Sequence, residues 1–152
     1  MSLTSAQQAT LKTSINGTSA LTAAVTAHDA VTVANFYNVV SATAVWIPDV
    51  PNATILSALV AADVAAKITT IAEQALLAAL MTPLALDATQ PNVRGDFATL
   101  FSGTTTLTNL TAAAQRLATA LEVLFGSGGP PIVSTLFGYV LQPSDVSQAM
   151  GW

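Results

Sequence analysis

The chain has 152 residues, only 8% of them charged, and a mean hydropathy of +0.59. Globular domains keep about a quarter of their residues charged, so a surface this poor in charge predicts burial against other copies or partners. Net charge is −4 and the basic residues Lys12, Lys67, Arg94 and Arg116 stand singly, which excludes a phosphate-tracking stripe and argues against sequence-specific nucleic-acid binding. With no cysteine there is neither a disulfide framework nor a thiolate metal site.

Thr4 and Ser5 ahead of Gln7 and Gln8 predict a capping-box start for a first helix, ended near Asn16-Gly17. A short helix from Ser19 and one capped by Asp29 follow, the latter with Val33, Phe36, Tyr37 and Val40 on one face. The uncharged run 30–48 carries Asn35, Asn38 and several threonines, and reads as no membrane span. Pro48 and Pro51 make residues 45–51 extended chain.

Asn52 is expected to cap the longest helix, running to about Met81, with Leu56, Val60, Val64, Ile68, Ile71 and Ala75 as its apolar stripe. Asp63 and Lys67 form an i,i+4 pair on the other face, for which about 0.3–0.5 kcal/mol is expected. Pro83 and Pro91 bracket a loop, and Asn92 opens a helix containing Phe97, Leu100 and Phe101 and closed by Gly103. Leu107, Leu110, Ala114, Leu117, Leu121 and Leu124 alternate spacings of three and four, predicting one continuous helix.

The glycines and prolines of residues 126–131 break the chain and rule out a second membrane span over 123–144. The loop lacks the Lys and Ser/Thr of a P-loop, so it reads as a flexible connection. Residues 132–141 read as a strand or hairpin arm, and Pro143 begins a last short helix. The expected fold is mainly α: one domain, a helical bundle with at most a short β element or extended arm near the C-terminus. Residues 1–131 form its core, and residues 132–152 are an arm of the same domain ending in a short helix, expected to dock outside that core.

Chemistry is sparse. His28 beside Asp29 is the one dyad that could transfer a proton, but no G-x-S-x-G elbow accompanies it, and a surface or capping role is the expectation. The acidic residues never pair on one helix face, so solvated or capping roles are expected for them too, with no metal or cofactor. No catalytic residue is assigned, and an enzyme is not expected. Trp46, Phe137, Tyr139 and Trp152, aromatics on extended or terminal segments, are the candidate interface residues. Core filling by Trp46 and a loose terminus at Trp152 are the competing readings.

Leu3-Thr4-Ser5-Ala6-Gln7 with Leu11-Lys12, Asn92-Val93-Arg94, Phe101-Ser102-Gly103, residues 116–125 and residues 137–146 together resemble a family of small proteins encoded in the virion-structure gene clusters of tailed bacteriophages. The resemblance runs from end to end and is weakest over residues 40–90. It implies a virion component assembled in the host cytoplasm, most concretely a head-to-tail adaptor: helical subunits in a homo-oligomeric ring that contacts portal and tail proteins. A tail terminator, a capsid-associated protein and, from another class, a cellular helical-bundle interaction module are the alternatives. Members carry extra basic residues where this chain has Ala120 and Val123, so that face is expected to be buried here.

Overall fold

The computed structural model describes residues 2–152 and is mainly helical, with short antiparallel strand pairs. In chain order the elements are α1 (Ser5–Gly17), a 3-10 turn (Ser19–Leu21), α2 (Thr22–Thr26), α3 (Ala30–Asn38), β1 (Val40–Trp46), β2 (Val50–Pro51) and α4 (Asn52–Ala58). There follow α5 (Ala61–Lys67), α6 (Ile71–Met81), β3 (Ala85–Leu86), α7 (Pro91–Phe101) and α8 (Thr105–Ala113). The chain ends with β4 (Gln115–Thr119), α9 (Ala120–Leu124), β5 (Gly126–Ser127), β6 (Val133–Ser134) and α10 (Pro143–Met150).

Where the sequence leads to one domain, the fold divides into two compact units: Met1–Thr43 with Leu117–Trp152, and Ala44–Arg116. The first is called the terminal unit below, the second the central unit. Strands β1 and β4, which pair with each other, carry the chain out of the terminal unit and back.

The terminal unit is built on α1. Thr4 caps it as expected, its Oγ1 accepting from the Gln7 amide at 3.3 Å while Gln7 Oε1 accepts from the Thr4 amide at 2.9 Å. Leu11 and Ile15, one turn apart, point into a core with Leu21, Val33, Tyr37, Leu121, Leu136, Leu141 and Val146. Helix α10 packs on α1 and α3, and the side-chain amide of Asn38 exchanges hydrogen bonds with both the N–H and the carbonyl of Leu141 at 2.9 Å. Residues 132–152 are therefore part of this core and not an arm leaving it. The 126–131 break is likewise no loose tether: β5 and β6 pair antiparallel in the register Gly126↔Ser134 and Ser127↔Val133. A Cβ on Gly126 would sit 2.5 Å from Ile132 Cδ1 and 3.0 Å from the Glu122 carbonyl oxygen, so a larger residue there would force Ile132 to shift.

The central unit packs Val50, Ile55, Leu80, Leu86, Phe97, Leu100, Phe101 and Leu110 into a second core. The single helix expected over 52–81 is three helices. Leu59 and Val60 are extended (ψ 131° and 120°), and Thr70 is extended again before α6. Tertiary and local polar groups explain the breaks: the buried Thr106 hydroxyl accepts from the Val60 amide at 2.9 Å, and Thr70 and Glu73 form a capping box. Asp63 Oδ2 accepts from the Thr106 amide at 2.8 Å, so its carboxylate also serves that junction. The helix expected over 107–124 also breaks, into α8, β4 and α9. Residues 115–119 are drawn into a strand by pairing with β1, and Thr119 then restarts the helix.

Candidate functional site

The four aromatic candidates do not form one site. Trp46 lies in the central unit, half-buried against its core, with the Arg94 guanidinium 4.8 Å above its ring. Arg94 is held there from α7, its Nη1 donating to the carbonyls of Ala88 at 2.6 Å and Thr89 at 2.7 Å. Phe137, Tyr139 and Trp152 belong to the terminal unit, and all three are partly buried. Tyr139 packs on the core and donates its hydroxyl to Asp145 Oδ2 at 2.8 Å. Burial, then that hydrogen bond and the Asp145 charge, push the Tyr139 phenol up to about 12. Trp152 also packs on the core and stacks on His28, ring centroids 5.1 Å apart and planes 19° apart. It is anchored, not loose.

His28 adopts a left-handed backbone (φ 52°) in the turn before α3, a conformation that costs a residue with a Cβ about 1 kcal/mol. Its neighbour Asp29 is committed elsewhere: the carboxylate caps α3, accepting from the Thr32 amide at 3.0 Å and the Thr32 hydroxyl at 2.6 Å. Those bonds hold the Asp29 carboxyl below its ordinary range. The dyad read in the sequence is thus an N-cap beside an aromatic stack.

Most of the acidic residues described above follow the capping expectation. Glu73 accepts from the Thr69 and Thr70 amides, both at 2.8 Å, and these bonds lower its pKa. For Asp87, burial pushes upward but is outweighed by bonds from Thr89 and Gln90 and by the Arg94 charge, so its pKa is also lowered. Two carboxylates are more deeply placed than the sequence suggests. Glu122 is fully buried, accepting from the Thr119 amide at 2.8 Å and the Gly138 amide at 2.6 Å. Asp145, also buried, accepts from the Gln142 amide at 2.9 Å as well as from Tyr139. The signal for Glu122 is the capping-box spacing Thr119-x-x-Glu122, hidden inside an apolar stripe of helical period.

The surface is where the charge deficit shows. In the central unit Leu84 is 94% and Ile71 85% exposed, and Ala72, Ala75, Ala78 and Ala79 of α6 are exposed as well. In the terminal unit Val39 is 62% and Val140 61% exposed. Val123, on the face expected to be buried, is 38% exposed. Single exposed apolar residues are ordinary, but runs with so little charge beside them are typical of surfaces that are covered in use.

The central unit also holds a cleft of about 50 Å³, lined by apolar side chains together with Trp46, Arg94 and Thr111. Among the described residues no helix is long and apolar enough to cross a membrane, and no group of three His, Cys, Asp or Glu is placed to hold a metal ion. The chain matches no family model, no curated protein and no solved structure.

Proposed function

We propose that the chain is a structural subunit of a tailed-phage virion, acting as a head-to-tail adaptor that assembles into a ring between portal and tail. The observation that carries the assembly part is the pairing of scarce charge with exposed apolar side chains in each unit, Leu84 and Ile71 in one, Val39 and Val140 in the other. A ring is built from heterologous contacts, so each subunit needs two different adhesive surfaces, and one on each unit supplies them. The resemblance spread from Leu3 to Val146 supports the virion as the setting. Portal and tail proteins are the partners this reading names, and the particle is the compartment. The residues carry structure and contact, not turnover.

An antibody raised against the chain tests the location. On particles from the parent phage, gold label concentrated at the head-to-tail junction is the expected result. Complete, infectious particles free of the chain by peptide mass spectrometry would overturn the proposal.

A further inference from the structure

We propose that the central unit binds a small carboxylate bearing a short apolar tail, with the tail in the cleft beside Trp46 and the carboxylate on Arg94. The cleft, about 50 Å³, is walled by Val50, Ile55, Phe97 and Leu110. A water needs only about 10–15 Å³ but also two to four polar partners, and the four walls just named offer none, so the part of the cleft against them suits a few carbon atoms better than solvent. Three of the lining side chains carry polar atoms, namely Trp46, Arg94 and Thr111.

Arg94 is what gives the cleft a chemical preference. Its Nη1 is committed to the Ala88 and Thr89 carbonyls, and its Cζ lies 4.8 Å from the Trp46 ring centre, so the guanidinium is held in place before any ligand arrives. On this proposal the Nη2 and Nε N–H groups, the side of the fork away from Nη1, take the two oxygens of the carboxylate. Asp87, whose oxygens accept from Thr89 and Gln90, lies close enough for the Arg94 charge to lower its pKa, so it tempers that charge through space. Apolar walls with one pre-positioned cation at the lining select an anion with a short hydrocarbon tail over a neutral or purely inorganic one. This inference concerns the central unit alone and stands whether or not the chain forms rings.

The test uses the full-length 15N-labelled chain, whose two tryptophan indole N–H signals report on the cleft (Trp46) and on a reference in the other unit (Trp152). Titration with sodium pentanoate is expected to shift the Trp46 signal saturably and leave that of Trp152 in place. 1-Pentanol, the neutral match, should bind about tenfold more weakly because it cannot pair with the guanidinium. Arg94→Gln should bring the two probes to equal affinity, and Ala114→Leu, which fills the cleft, should remove both responses. No saturable Trp46 shift, or equal affinity of the two probes for the unsubstituted chain, overturns the proposal. If Ala114→Leu does not fold, the two probes on the unsubstituted chain and on Arg94→Gln decide the matter.

Discussion

Tyr139 and Asp145 set the alkaline edge of the terminal unit. The Tyr139 phenol titrates near 12 in the folded chain against about 10 when unfolded, so the folded state holds this proton more tightly. A raised folded pKa contributes stability that is complete below pH 10 and is lost as pH climbs from about 10 through about 12. Absorbance titration at the phenolate band should show a late tyrosine step near pH 12 that Tyr139→Phe removes. The lowered carboxyls work at the other edge. Asp29, Glu73 and Asp87 contribute stability above their unfolded values and lose it as pH falls through the ordinary carboxylate range and below. Glu122 is the carboxylate the fold holds most deeply. Glu122→Ala removes a fully buried acceptor from the part-buried Thr119 and Gly138 amides, at about 1–3 kcal/mol in all, and urea unfolding should show the drop.

At the level of elements, the boundary between α4 and α5 depends on one hydroxyl. Thr106→Val keeps the shape but leaves the Val60 amide without its acceptor, so stability should fall by about 1–3 kcal/mol with the helical signal nearly unchanged. A loss under about 0.5 kcal/mol in the urea midpoint would mean the hydroxyl does not hold that break. Such junctions also explain what was legible in the sequence. Helix starts written in local chemistry, Thr4 with Gln7, Asp29 and Pro143, stand where the sequence puts them. The long stripes over 52–81 and 107–124 overstated continuity, because apolar residues three and four apart fit several short helices as well as one long one. What cuts those stripes is partly non-local: Thr106 reaching Val60, and β1 pairing with β4, join positions far apart in the chain. The contacts of the aromatic candidates are not legible in the sequence, since stacking of Trp152 on His28 and of Arg94 on Trp46 depends on tertiary placement.

For the molecule as a whole, the C-terminal segment and the exposed apolar surfaces make separate predictions. Deleting residues 132–152 removes Leu136, Leu141 and Val146 from the terminal core. Losses of about 2–5 kcal/mol per large core side chain, three taken together, are as large as a typical domain stability of about 5–15 kcal/mol. The truncated chain should therefore lose helical circular dichroism and become protease-sensitive. A shortened chain that keeps its full helical signal and cooperative melting would mean that the segment is dispensable to the core. The surfaces bear on assembly. Leu84→Lys and Val140→Lys place charge on one exposed position in each unit, where little folding cost is expected because neither side chain is buried.

Native mass spectrometry of the purified full-length chain at tens of micromolar measures the assembly claim most directly. The account predicts one closed oligomer of many copies, and its loss in either lysine variant. A monomer across that concentration range, with no difference between the parent chain and the variants, would contradict it.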